Sequence, residues 1–186
     1  MNTVELKYMP NIYFLGNSKN HLDNKLQILN EIKTSPFEET CNISKCDWNI
    51  SRELERVYKK TFFDKILFPF LNDACLLINA TKFIVHNFWF QQYEKNSEHG
   101  WHIHEQTNYT GVYYLEYPDL TAKTDLYCFY NKNSIEVDLL NEGDILIFPS
   151  NIVHRAPKIK NDKRKTIISF NMSFTGFNLD KFPKHV

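Results

Sequence analysis

The sequence predicts an α+β protein that is mainly β, with helices first and a β-rich body after them. Between about residues 20 and 80, apolar residues recur at a helical period. From residue 81 the chain changes to short runs of β-branched and aromatic residues bounded by turn clusters. Aromatics reach 15%, with 15 Phe, 10 Tyr and 3 Trp, which suits a β-rich core. Helices followed by strands is an α+β order, not the alternation of a parallel α/β sheet.

A length of 186 residues implies one domain with a substantial core. Residues 1–80 read as a mostly helical support segment, 81–176 as the β core and 177–186 as a C-terminal tail. In the support segment, NKLQILNEIKTS places Leu26, Ile28, Leu29 and Ile32 close to one helical face. The longer stretch 51–79 repeats the pattern; Ser51 followed by Glu53 predicts a helix start there, and Pro69 a break or kink. Strands are expected in KFIVHNFWFQQY, TGVYYLEY, DLYCFY, SIEVDLL, DILIFP and KTIISFNMSF. The turn clusters EKNSEHG, PDLTAK, NKNS, NEGD and KIKNDKR separate them. Six short strands at fairly regular spacing indicate a sandwich or barrel.

Several classes are disfavoured by composition. Lys+Arg and Asp+Glu balance at 22 each, so no global field favours nucleic acid or a membrane surface. The longest apolar runs, such as ILFPFL, are too short to span a bilayer. Cys41, Cys46, Cys75 and Cys128 form no CxxC pair or disulfide framework and read as reduced thiols. With no secretory pattern in the N-terminal stretch, a cytoplasmic protein is expected.

The chemistry concentrates in HGWHIHEQ, where His99, His102 and His104 fall within six positions of a chain holding seven histidines. If residues 101–105 are extended, His102 and His104 share a face, because strand side chains alternate. Two imidazoles on one face can share a metal, and His154 in GDILIFPSNIVHRAP is the best candidate for a third ligand. Three protein ligands leave coordination positions open, as in non-haem Fe(II) oxygenases. A lone strand histidine is more often an ordinary side chain. His86 has no partner spacing and reads as structural, and His21 and His185 as surface residues. Trp89, Gln91 and Tyr93 lie at like parity and could line a pocket, although most such aromatics are core.

HGWHIHEQTNYTGVYYLEYPD, EGDILIFPSNIVHRAP and DKRKTIISFNMSF, in that order, resemble blocks of the Fe(II)/2-oxoglutarate-dependent oxygenases. The likeness is to the branch of bacterial and phage proteins with an H-x-H block before VYYL, and covers about residues 83–174. It implies a double-stranded β-helix (jelly-roll) fold binding one Fe(II) and 2-oxoglutarate, and a reaction with O2 and an unidentified substrate. His102 matches the first ligand of the family's H-x-D pair and His154 its distal histidine. Arg164, ten residues after His154, stands close to the basic residue that grips the 2-oxoglutarate distal carboxylate, a task that suits a guanidinium fork. Thr166 matches the hydroxyl of an R-x-S pattern, and Tyr114 a tyrosine that supports the same carboxylate.

The family's usual aspartate is His104 here. Glu105 would face the opposite side of an extended strand, so three imidazoles are the expected ligand set, with Glu105 and His99 as alternatives if the segment is bulged. Asn108 and Trp101 are possible residues of the surrounding shell. Lys163 or Lys165 could replace Arg164 in a shifted register. If a strand begins at Arg164, then Arg164, Thr166 and Ile168 share a face with Lys165 opposite, and that parity favours Arg164. The missing aspartate also opens a second reading, a cupin-like metal protein that does not use 2-oxoglutarate. Gly143-x5-Pro149-x4-His154 fits a cupin block, but positions 108 and 109 are Asn and Tyr where that fold expects Glu.

Overall fold

The computed structural model describes residues 13–40, 42–128, 132–135, 137, 140–178 and 180. Most of the proposed tail, His185, Cys41 and parts of DLYCFY and SIEVDLL lie outside the described residues. The described chain runs β1 (Phe14–Asn17), α1 (His21–Thr34), β2 (Lys45–Cys46), α2 (Tyr58–Phe62), α3 (Phe68–Leu77), β3 (Ala80–Tyr93), β4 (His99–His102) and β5 (Tyr109–Glu116). It continues through β6 (Asp125–Cys128), β7 (Asn133–Ile135), β8 (Asp144–Pro149), β9 (Val153–Ala156) and β10 (Lys165–Phe177). A π-helical turn, Phe63–Leu67, joins α2 to α3. It comes directly before Pro69, whose ring and missing N–H oppose the ordinary α-helical bond at that level, so the helix widens instead of stopping.

Among the described residues, these strands pair antiparallel throughout. The larger sheet has the order β1-β8-β5-β10-β3-β2, and the smaller β4-β9-β6-β7. Alternation along the long strands divides the apolar residues between two cores. On one face of the larger sheet, Phe90, Tyr113, Ile145, Ile147, Ile168 and Phe170 pack with Ile28, Ile32, Phe62 and Leu71 of the helices. On the other face, Trp89, Tyr93, Val112, Tyr114, Leu146, Phe148 and Ile167 pack with Leu126, Ile152 and Ala156 of the smaller sheet and its flanks. The helices therefore seal the back of the larger sheet and leave its front to form the interior of the sandwich.

Three local expectations are corrected. The described residues between 35 and 57 are not helical: β2 pairs with β3, and the helix begins at Tyr58 instead of near Ser51. The cause is a tether, because the Arg56 guanidinium donates to the carbonyls of Asp47 and Ile50 and holds the segment as a loop. Asp47, fully buried, accepts from the Phe90 backbone N–H and the Tyr58 hydroxyl, both at 2.7 Å. His21 is buried and not a surface residue; its Nδ1 lies 2.7 Å from the Tyr113 hydroxyl. Residues 14–17 add an unexpected edge strand, β1, beside β8.

Gly111 on β5 lies directly across from Phe170 of β10, on the sheet face that packs against the helices. A Cβ built there would lie 2.2 Å from Phe170 Cζ, well inside contact distance. Gly111→Ala is expected to destabilise the protein by about 1–3 kcal/mol through overpacking, read as a lowered midpoint in thermal or urea denaturation. An unchanged midpoint would mean that Phe170 can swing clear without loss.

Candidate metal centre

The geometry of the site starts with a bulge. β4 pairs with β9 so that His99 opposes Ala156 and His102 opposes His154, with three steps on β4 against two on β9. The extra residue lets His99 and His102 present the same face even though their spacing is odd. Their rings stack with centroids 4.0 Å apart. β4 ends at His102, so His104 is not placed by strand alternation. Instead its backbone N–H donates to the Ser150 carbonyl at 3.0 Å, while the Ser150 N–H donates to the Asn108 carbonyl at 3.1 Å. This pins the 103–108 loop against the turn that leads into β9.

His102, His104 and His154 then offer one ring nitrogen each, all within 4.8 Å of one another. The His102–His154 centroids are 4.2 Å apart, the His104–His154 centroids 5.1 Å and the His102–His104 centroids 5.2 Å. In two of the rings the tautomer is set by the backbone: His102 Nδ1 faces the Gly100 carbonyl at 2.7 Å and His154 Nδ1 the Ile152 carbonyl at 3.0 Å. Those Nδ1 atoms carry the protons, which leaves each Nε2 lone pair for a metal. Burial draws all three pKa values down, for His102 against the Gly100 hydrogen bond; for the other two the neighbouring imidazoles add to it, to about 4 for His104 and about 3 for His154. The cluster is therefore neutral at neutral pH, the form that ligates. Three convergent neutral imidazoles fit a first-row divalent ion such as Fe(II).

The remaining residues singled out from the sequence divide sharply. His99 lies beside His102 with Nδ1 3.4 Å from Gln91 Nε2. Glu105 is exposed. Trp101 packs over Arg155, 4.6 Å from ring centroid to guanidinium, and toward Tyr127. Asn108 accepts a hydrogen bond from Ser173 Oγ at 3.1 Å. His86 is also tied to Ser173, at 3.0 Å, as a structural histidine should be. Trp89, Gln91 and Tyr93 do line the interior cavity, together with all four histidines.

The basic residue is where sequence and structure part. Arg164, Thr166 and Ile168 do share a face, but it is the face turned from the sandwich interior. Ile168 packs against the helices. A bulge in the β5–β10 pairing sets Glu116 opposite Thr166 and Tyr114 opposite Ile167. Glu116 consequently takes both Arg164 hydrogen bonds, each 2.9 Å, and one from the Thr166 hydroxyl. Lys165 is the cation on the inner face. It is 2% exposed, donates to the Ala122 carbonyl at 2.6 Å, and stands 5.5–5.7 Å from the ring centroids of Tyr93, Tyr114 and Tyr117. Burial lowers its pKa to about 7, against the pull of Asp125 and Asp119. Tyr114 is fully buried with its hydroxyl 2.7 Å from Thr124 Oγ1. The Tyr93 hydroxyl is buried with no hydrogen-bond partner among the described residues. An ammonium with one acceptor beside an unpartnered phenol suits a carboxylate, which accepts from both.

Two larger clefts flank the cluster. One, of about 440 Å³, touches His99, His102 and His104 and is walled by Trp48, Trp89 and Ile43. The other, of about 450 Å³, shares Trp48, Ile103 and His104 with the first and continues past Asn87, Thr107 and Asn171. Trp48, edge-on to Trp89 at 4.1 Å, stands at the junction of the two clefts, next in sequence to the buried Asp47.

No protein-family model and no curated protein matches the sequence. Solved structures match over most of the chain. An oxidoreductase of the 2OG-Fe(II) oxygenase family from Burkholderia pseudomallei aligns at a TM-score of 0.66 and 13% identity, over 87% of this chain and 84% of that one. A viral collagen prolyl hydroxylase from Paramecium bursaria Chlorella virus-1 gives 0.53 at 15% identity, over 92% and 97%. A Pseudomonas putida prolyl-4-hydroxylase gives 0.55 at 10% identity, over 88% and 93%. The chain thus has the double-stranded β-helix fold of the 2OG-Fe(II) oxygenases, with a histidine triad as a candidate metal site inside it. Among the described residues no helix is long and apolar enough to cross a membrane.

The lowered histidine pKa values have a consequence for stability. A group whose folded pKa lies below its unfolded value binds fewer protons when folded, so acidification favours unfolding. The metal-free protein is expected to lose stability as pH falls from about 6.5, the unfolded histidine value, toward about 4, where His99 and His104 titrate. Melting temperatures recorded across that range check this; a flat profile from pH 7 to 5 would contradict it.

Proposed function

We propose that this protein is an Fe(II)- and 2-oxoglutarate-dependent dioxygenase that hydroxylates a C–H bond of its substrate, with release of succinate and CO2. The observation that carries the reading is that the histidine triad and buried Lys165 belong to one interior of a double-stranded β-helix. Bound Fe(II) with 2-oxoglutarate would supply the activation of O2 and the oxidation of the C–H bond. His102, His104 and His154 would hold the ion. Their set carries no charge, so a dianionic cosubstrate, rather than the protein, would neutralise the metal.

Lys165 takes the role that spacing suggested for Arg164, as the cation for the distal carboxylate, with the Tyr93 and Tyr114 hydroxyls and Thr124 around it. Thr166 has no part in this, being bonded to Glu116 on the opposite face. The interior cavity is about 30 Å³, room for roughly one water. A dicarboxylate must therefore move a wall to enter. β4 is the wall with least to lose, since among the described residues it is an edge strand paired only with β9. Trp89 and Trp48 would then exclude water from the reacting centre. Cys46 and Cys75, both buried as thiols, go with a reducing compartment such as the cytoplasm.

The second reading, a cupin-like metal protein without 2-oxoglutarate, is favoured by the all-histidine ligand set. Anaerobic addition of 2-oxoglutarate to the Fe(II)-loaded protein separates the two. The oxygenase reading expects a new visible absorption band and about 2.7 kcal/mol of added stability at one hundred times the dissociation constant. With O2 admitted it expects succinate. Neither a band nor a shift in melting temperature would remove the oxygenase reading and leave the cupin-like one.

The cosubstrate anchor is tested separately. Lys165→Met is expected to weaken 2-oxoglutarate binding by at least about thirtyfold, about 2 kcal/mol, with Co(II) binding retained. Arg164→Ala should change it by less than about twofold. A larger loss from Arg164→Ala than from Lys165→Met would return the role to the arginine. Nζ must be protonated to hold a dianion, so affinity should also fall as pH rises above about 7.

A further inference from the structure

We infer that the cleft running from His104 past Asn87, Thr107 and Asn171 is a recognition subsite for an amide group of the substrate, an inference that rests on the oxygenase reading above. Asn87 on β3 and Asn171 on β10 are direct cross-strand partners, next to the register shift between Asn171 and Met172. Asn171 is 5% exposed. Among the described residues, six buried side-chain polar atoms lack a hydrogen-bond partner, and Asn87 Oδ1, Thr107 Oγ1 and Asn171 Oδ1 are three of them. All three residues line this one cleft of about 450 Å³, whose wall includes His104.

Neighbouring polar groups do not satisfy the trio. Ser173, two residues beyond Asn171, is already bonded to His86 and Asn108. Buried polar atoms are almost always paired in folded proteins, so three unpaired ones against a candidate metal ligand point to a ligand that pairs them. Backbone strain falls at the same place: Gln106, before Thr107, has φ 62°, a left-handed conformation unusual for glutamine.

The chemistry of the trio narrows the ligand. An asparagine amide presents one acceptor and one N–H donor group on a single edge, and the complement of such an edge is another amide. A threonine hydroxyl serves either role. The unpaired atoms are two amide oxygens, which only accept, and a hydroxyl, so the ligand must donate, which a carboxylate does not; Arg52 and Glu105, of opposite sign, are exposed at the rim, so no net charge there pairs an ammonium. A nucleobase edge offers a similar pattern, but 22 basic and 22 acidic residues leave no net field for a polyanion. The amide of a peptide or amino-acid amide is therefore the class the cleft fits. Because Trp48, Ile103 and His104 line this cleft and also the one over His99 and His102, a group held here leaves the rest of its molecule beside the triad.

The test is side-chain amide NMR of the nitrogen-15-labelled, Zn(II)-loaded full chain, titrated with N-acetylglycinamide and, separately, with acetate and adenosine. Saturable shifts of the Asn87 and Asn171 side-chain resonances with N-acetylglycinamide alone are expected. Asn171→Leu should weaken that binding by at least about tenfold. Asn87→Ser, at a half-buried position, is the second variant should the first not fold, with the same direction expected. No shift up to about 100 mM, equal shifts with acetate or adenosine, or undiminished binding in a folded variant each overturn the proposal. The melting shift with 2-oxoglutarate, measured on the same preparation, keeps the two readings apart. Cosubstrate binding without amide binding removes only the subsite, and amide binding without cosubstrate binding removes only the oxygenase reading.

Discussion

The antiparallel pairing of β4 with β9 places His102 directly across from His154, and the rest of the site is arranged around that contact. Neither strand is long, and β4 lies at the edge of the smaller sheet. What fixes them is the turn at Ser150, which holds the 103–108 loop by backbone hydrogen bonds and brings His104 to the other two rings. Two of the three rings are oriented by main-chain carbonyls, so their Nε2 atoms point where the fold directs them. The ligand geometry is thus a property of backbone pairing more than of side-chain packing.

β10 does the complementary work. Its inner residues Lys165, Ile167 and Ser169 face the interior with Tyr93, Gln91 and Trp89 of β3 opposite them. Its outer residues Thr166, Ile168 and Phe170 face away. One strand thereby carries the buried cation and anchors the helices. The bulge beside Glu116 keeps these functions separate, since it directs that carboxylate to Arg164 and Thr166 and away from the buried ammonium. A carboxylate facing Lys165 would compete with any anionic ligand. The ammonium donates instead to a neutral carbonyl at 2.6 Å.

Much of this is legible from residue order. The change from helical to strand texture near residue 80 and the strands β3, β5, β8 and β10 follow from period and spacing, as does the choice of His102, His104 and His154 as candidate ligands. β4 and β9 are not among the strands expected, and His104 reaches the other two rings through the loop after β4 instead of by alternation. The inner-face parity of Trp89, Gln91 and Tyr93 is equally readable. The expectation that Arg164 faces the interior fails for a definable reason: alternation tells which residues share a face, but not which face looks inward. Arg164, Thr166 and Ile168 do form one group, turned the opposite way. Only the opposing pattern, Ile168 and Phe170 against helices and Ile167 against the second sheet, decides it. The loop before Tyr58 escapes a sequence reading because the Arg56 guanidinium, tethered to carbonyls six and nine residues back, and the long-range bond from Phe90 N–H to Asp47 override a plausible helix start at Ser51. The bulge that aligns His99 with His102 leaves no signature in single-sequence patterning, apart from Gly100 between them.

On the reading proposed above, a metal in this protein is held by three imidazoles and no carboxylate. X-ray absorption on the Fe(II)-loaded protein addresses that ligand set without intermediaries, because imidazole rings give distinctive multiple scattering beyond the first shell. Three such rings are expected at ordinary metal–nitrogen distances of roughly 2.0–2.2 Å. Two rings with a carboxylate, as Glu105 would supply, would contradict it.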